Sequence, residues 1–356
     1  MLLRLRPSLG AVMAVLLAAS VALPVPYLVL KPGPVFNTIG EFGGQQVVDI
    51  QEATTYPTSG SLDMTTVSEF GGPQDGVSVF QAVWGWLDPA VRVVPREIHY
   101  PENATEADTK LRNAEAFNSS QSYAVAAALQ YLKLPVQEQV VVTSIVEGSP
   151  ALDNLRAQDA IVSIDDVAMN APEEVVAAVR AKPAGSNLVF KVLREGSPIE
   201  VSVTSAPKKD DLTTLEDETG KPFIGIGVDD YYAATFPITF HLRDIGGPSA
   251  GSMFALAIID KLTPGELTAG KNIAGTGTVD PQGNVGAIGG IAQKLAGAHK
   301  AGATLFLAPQ SNCDEVIGNI PQGLTVVPVE TIAQAVKAIE TFNSGGSLAK
   351  CTDTPQ

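Results

Sequence analysis

Apolar and polar residues recur along this chain with different periods, and each period predicts a different element. Residues 9–30 are apolar and uncharged, follow Arg4 and Arg6, and are long enough for a helix to cross a bilayer. The run is longer than the core of a signal peptide and has no polar cleavage region after Ala18-Ala19-Ser20. An uncleaved anchor is therefore predicted over residues 1–30, a cleaved leader being the alternative, with Pro24 and Pro26 as places where the helix kinks or ends. Residues 31–120 mix strand-like alternation with turn residues and hold both tryptophans, Trp84 and Trp86. Residues 123–132 read as a buried helix. Residues 140–145, 159–165, 188–193 and 199–204 read as strands, with a helix near 172–179. Residues 290–300 read as a helix that opens after a glycine pair. At about 100° per residue, Ile291, Lys294, Leu295, Ala298 and Gly302 fall on one narrow stripe, while Lys300 points the other way.

A lysine on that stripe is the anomaly of the pattern. Burial removes its hydration, favours the neutral amine and lowers its pKa. A neutral amine can take a proton from a serine hydroxyl, and Ser249 stands in Gly246-Gly247-Pro248-Ser249-Ala250-Gly251. Serine–lysine pairs of this kind are a variant of the Ser-His-Asp arrangement. Two plainer readings stay open for these residues. Ser249 can be the N-cap of a helix over 252–261, and Lys294 can snorkel its head to solvent.

Charge and composition narrow the surroundings. The 356 residues carry a net charge of −15, which argues against nucleic acid and anionic lipid surfaces as partners. No His/Cys cluster has metal-ligand spacing, so no metal and no cofactor is expected. The two cysteines, Cys313 and Cys351, fall late; outside the cytoplasm a disulfide between them is expected, two free thiols being the alternative. Residues 208–221 carry five acids and read as a connector. Gly247-Pro248-Ser249-Ala250-Gly251 also fits the G-x-S-x-G elbow, but the only histidine after it is His299, on the Lys294 helix. The segment 265–272 nearly fits a P-loop, yet Asn272 replaces the Ser/Thr and Pro264 precedes it, so ATP is not expected.

Residues 225–338 resemble the proteolytic domain of the Lon family. The matching motifs are Gly247-Pro248-Ser249-Ala250-Gly251, Gly275-Thr276-Gly277-Thr278-Val279, the run 283–290, Lys294, and Ala298-His299-Lys300-Ala301-Gly302-Ala303. Gly246 departs from the acidic residue common in that family three before the serine. The resemblance implies Ser249 as nucleophile, Lys294 as general base and Thr276 as the hydroxyl that holds the lysine. Residues 136–207 resemble bacterial PDZ domains, with Gln158 in place of the usual Gly before Asp159; this implies a module that binds peptide ends by strand addition.

Together these readings resemble the PDZ-containing Lon-like membrane proteases of Gram-positive, actinobacterial-type bacteria. The expected fold class is an α+β multidomain chain. It comprises a transmembrane anchor (1–30), a juxtamembrane α/β region (31–135), a PDZ-like domain (136–207), a Lon-type proteolytic domain of the ribosomal-protein-S5-domain-2-like fold (208–342) and a polar tail (343–356). The expected activity is ATP-independent serine endopeptidase action on unfolded or membrane-associated proteins. The N-terminus would then lie in the cytoplasm and the catalytic domain outside the membrane. Expected partners are protein or peptide substrates and the membrane; a homo-oligomer is left open. The competing reading is a non-catalytic peptide-binding or chaperone-like scaffold.

Overall fold

The computed structural model describes residues 10, 13–14, 18, 23–100, 105–194, 196–208, 219–242 and 245–351. In chain order the principal elements begin with strand β1 (Tyr27–Asn37), strand β2 (Ser61–Phe70), helix α1 (Val79–Leu87), strand β3 (Arg92–Pro95) and helix α2 (Glu106–Tyr131). Strands β4 (Gln137–Ile145) and β5 (Ala160–Ile164), helix α3 (Pro172–Arg180) and strands β6 (Asn187–Arg194), β7 (Ser197–Thr204) and β8 (Ile226–Ala233) follow. The remainder is helix α4 (Gly251–Leu262), strand β9 (Asn272–Gly275), helix α5 (Ile291–Lys300), strands β10 (Leu305–Pro309) and β11 (Thr325–Val329), and helix α6 (Ile332–Asn343).

One mixed sheet runs in the order β11-β10-β9-β2-β1-β3. The pairs from β11 to β2 are parallel, and β1 pairs antiparallel with both β2 and β3. Strand β10 of this sheet is apolar and buried on both faces, as a strand covered twice must be. Leu305 and Leu307 face a core shared with Phe254, Ile258 and Leu129 from α4 and α2. Phe306 and Ala308 face a second core with Ile291, Leu295 and Ala298 of α5. Alternation along one strand thus puts α4 and α5 on opposite faces of the sheet.

The expected membrane anchor is overturned. No helix among the described residues is long and apolar enough to cross a membrane, so the single-pass topology and the placement that rested on it lose their support. The physical reason is visible where the apolar run enters the sheet. Pro24–Val25 pairs antiparallel with Val77–Ser78, and Leu28, Val29 and Leu30 are buried in β1 between β2 and β3. These residues are apolar because they fill a sheet, and Pro24 and Pro26 suit extended backbone rather than a helix. The rest of the expected anchor falls largely outside the described residues.

The expected divisions also shift, and the class is a mixed α/β fold. Residues 31–135 are no region apart: β1 and β2 are central strands of the same sheet as β9 to β11, and α2 packs on α4. The second sheet, β7-β6-β5-β4-β8, is antiparallel throughout. Its edge strand β8 comes from residues expected to belong to the proteolytic unit. Gln158 adopts φ 71, the left-handed conformation that explains a glycine preference at this turn. Next to it, buried Asp159 takes a bidentate ion pair from Arg194.

Candidate active site

The site lies where β9 ends. Strand β9 stops at Gly275, and the chain then turns through Thr276 and Gly277 beneath the segment 246–250. Gly247 has φ +85, a conformation that an L side chain would strain, and its N–H donates to the Asn113 carbonyl of α2 at 2.9 Å. The Ser249 carbonyl accepts from Gly277 N and from Thr276 Oγ1, both at 3.0 Å. These bonds hold the segment in place from the strand side. From the opposite face of the sheet, α5 starts at Gly290, which has φ 71 and no room for a side chain: a Cβ there would lie 2.8 Å from Val67 Cγ2. That start sets the register of Lys294, which is 2 % exposed.

Ser249 and Lys294, 45 residues apart in sequence, meet at 2.8 Å between Oγ and Nζ. Lys294 Nζ also donates to the Thr65 carbonyl of β2 at 2.9 Å and to Thr276 Oγ1 at 3.0 Å. Because Thr276 Oγ1 spends its hydrogen on the Ser249 carbonyl, it acts toward Lys294 as an acceptor. A neutral amine has two N–H groups and one lone pair. Thr65 and Thr276 take both N–H groups, which leaves the lone pair for the Ser249 hydroxyl. Burial pushes the Lys294 pKa down to about 7, so the neutral amine is populated near neutral pH. This arrangement can accept a proton from Ser249 while a bond forms to its oxygen.

Neither plain reading of the pair describes the structure. The N-cap of α4 is Ala250, and no side chain caps it. Lys294 does not snorkel. Lys300 is exposed, and Gly302 lies past the end of α5. His299 is exposed near the C-terminus of α5. In the P-loop-like segment, Lys271 Nζ donates to the Phe342 carbonyl at 3.2 Å and sits over the Phe342 ring, so it is engaged by α6. No group of three or more His, Cys, Asp or Glu suited to a metal occurs among the described residues. Cys313 and Cys351 are bonded to each other, and both are buried against α5 and β10 in the second core.

Ser249 opens onto a cleft of about 900 Å³ lined by Thr66, Val67 and Phe70 of β2, His99, Pro248 and Ala287. Two contributors to the site had no local signal. Thr65 offers a backbone carbonyl 229 residues from Lys294, and α2 supplies Asn113 and Ser120, whose hydroxyl donates to the Pro248 carbonyl at 3.0 Å. A groove of about 200 Å³ lies elsewhere, between Val175 and Val179 of α3 on one side and, on the other, Phe223 and then Ile226 and Val228 at the start of β8.

Comparison with known proteins finds two families in the chain. Residues 243–341 match the Lon protease (S16) C-terminal proteolytic domain, and residues 111–204 match the PDZ domain family. The Lon protease of Buchnera aphidicola is 40 % identical over 94 residues, 26 % of this chain and 12 % of that protein. The Lon protease of Clostridioides difficile is 38 % identical over 94 residues, with the same shares. This chain therefore spans about an eighth of the length of these relatives. Among solved structures, the PDZ domain of an SdrC-like protein from Listeria monocytogenes aligns at 23 % identity, covering 25 % of this chain and 86 % of that one with a TM-score of 0.22. The chain thus carries a Lon protease proteolytic domain together with a PDZ domain, and its enzyme class is that of a serine peptidase.

Proposed function

We propose that the chain is an endopeptidase in which Ser249 is the nucleophile, Lys294 the general base and Thr276 the residue that orients the lysine. The carrying observation is the 2.8 Å approach of a buried lysine to the serine hydroxyl, with both N–H groups of the neutral amine already taken. Ser249 Oγ attacks the substrate carbonyl carbon and its proton passes to Lys294 Nζ. The tetrahedral intermediate then breaks its C–N bond, and Lys294 returns the proton to the leaving amine. Water, deprotonated by Lys294, hydrolyses the ester left on Ser249. None of these steps uses a nucleotide, which supports an ATP-independent reaction.

The proposed substrate is an extended, unfolded protein segment. Strand β2 pairs with β9 only up to Met64, while Thr66 to Phe70 continue along the cleft with no strand among the described residues on that side. Such an edge suits an extended chain that adds main-chain hydrogen bonds. The α3–β8 groove is the proposed place where the PDZ part holds a peptide. Labelling of Ser249 by a fluorophosphonate probe, together with cleavage of an unfolded protein, tests the reading. Both should vanish in Ser249→Ala, and cleavage should vanish in Lys294→Ala. A wild-type chain that binds peptide but neither labels nor cleaves would be the scaffold instead.

A further inference from the structure

The mechanism above leaves open what fixes the backbone around the nucleophile, and α2 supplies an answer. Ser120 is 3 % exposed and lies in the middle of α2. A helical serine commonly turns its hydroxyl back to a carbonyl of its own helix. Ser120 instead donates across to the Pro248 carbonyl at 3.0 Å. The Pro248–Ser249 bond is trans, and a trans amide is planar, with its C=O and N–H pointing in opposite directions. Holding the Pro248 oxygen against α2 therefore turns the Ser249 N–H away from α2. Among the described residues that N–H has no acceptor, and Ser249 itself lines the cleft. Residue 248, being proline, offers no N–H of its own to compete.

We infer that Ser120 is a positioning residue for this site: through the rigid Pro248–Ser249 peptide, its hydroxyl aims the backbone N–H of Ser249 at the oxygen of the attacked carbonyl. The inference rests on Ser249 being the nucleophile. A donor of this kind acts only if it is held 2.7–3.1 Å from the oxygen as charge develops there. Without the Ser120 hydroxyl, the Pro248 carbonyl would turn toward another donor and carry the N–H out of line. Ser120 also lies close against the start of α4, since a Cβ on Gly251 would lie 3.0 Å from Ser120 Oγ. The hydroxyl thus reaches a backbone already pressed against the helix.

The test uses the full chain, an unstructured peptide substrate and a peptide boronate, whose tetrahedral adduct on Ser249 places an oxygen where the intermediate would. In Ser120→Ala, kcat should fall about 10- to 100-fold, with KM within about twofold. The boronate inhibition constant should rise by the same factor as kcat falls. The apparent pKa of kcat/KM should not move, because Ser120 does not touch Lys294. A merely structural role would not weaken the boronate in step with kcat. The inference is overturned if kcat stays within twofold of wild type, or if kcat falls while boronate affinity is unchanged. Should Ser120→Ala not fold, Ser120→Cys keeps the shape with a weak donor, and the same parallel loss is expected at smaller size. Ser249→Ala separates the two failures. If it still cleaves, the nucleophile assignment falls and this inference with it; if it is dead while Ser120→Ala is fully active, only this inference falls.

Discussion

Two buried lysines can be compared in this molecule, one at each end of the catalytic framework. Lys261, 9 % exposed, lies in the last turn of α4, the helix that begins beside Ser249; Lys294 lies on α5 across the sheet. Burial lowers the pKa of both. Lys261 has Asp49, Asp260 and Glu41 nearby, whose charges favour its protonated form, and its Nζ donates to Gln46 Oε1 at 2.8 Å. Among the described residues no acid contributes in this way to Lys294, whose partners are a carbonyl and two hydroxyls. The comparison teaches that burial alone does not make a base. Acids around a buried lysine oppose the loss of its proton, whereas neutral acceptors leave burial free to bring that loss near neutral pH.

The largest expected effect would break this contrast outright. Lys294→Ala and Lys294→Arg should each lower kcat/KM by about 10³-fold or more, since guanidinium stays charged at any working pH. Lys261→Met should change kcat by less than about twofold and show its cost in thermal stability instead. Equal losses at the two lysines would end the assignment. For the proposed Ser249–Lys294 pair acting as a unit, the double alanine variant should be no worse than either single one.

The pH profile sharpens the same contrast. With Lys294 as a base of pKa about 7, kcat/KM should rise about tenfold between pH 6 and pH 9 and then level off. Lys261→Met should leave that profile in place; a flat profile would remove the lysine base. Stability carries the matching sign. The folded-state pKa of about 7 lies below the ordinary 10.5, so the unfolded chain binds the extra proton between those values. Stability should therefore climb as pH rises through that window, and Lys294→Met should abolish the slope, as urea titrations across the range can read.

A smaller effect is expected at Thr276→Val, which keeps the shape and removes the hydroxyl. One N–H of Lys294 loses its acceptor, and the Ser249 carbonyl keeps only Gly277 N. Activity should fall about 10-fold with little change in KM. An unchanged kcat would make Thr276 a bystander. The smallest effect on activity belongs to Cys351→Ser. The bond spans 38 residues, worth roughly 4 kcal/mol in the chain-entropy model. Its loss should lower Tm while kcat stays within about twofold. Thiol labelling under denaturing, non-reducing conditions checks the premise by finding no free thiol in the wild-type chain.

Much of the site could be read from the sequence because its signals are local. Lys294 stood out against the periodicity of a single ten-residue helix, and Ser249 stood in a glycine-rich run before another. The PDZ strands were legible for the same reason, as short alternating runs bounded by turns. The membrane anchor failed because hydropathy reports that a segment is buried and not in what. Leu28 to Leu30 are apolar for the interior of a sheet, and the proline pair favoured the strand.

The sequence by itself therefore determined the kinds of element, the anomalous lysine and the serine segment, since each depends on side chains a few positions apart. Tertiary structure alone decided that β1 and β2 complete the proteolytic sheet, that β8 edges the PDZ sheet, and that Thr65 and Ser120 reach the site. Those contacts join residues far apart in the chain, 226 − 145 = 81 positions for the nearest pair, through backbone groups and a helix face. A carbonyl oxygen looks the same at every residue, so no side-chain pattern could announce which one would meet the lysine.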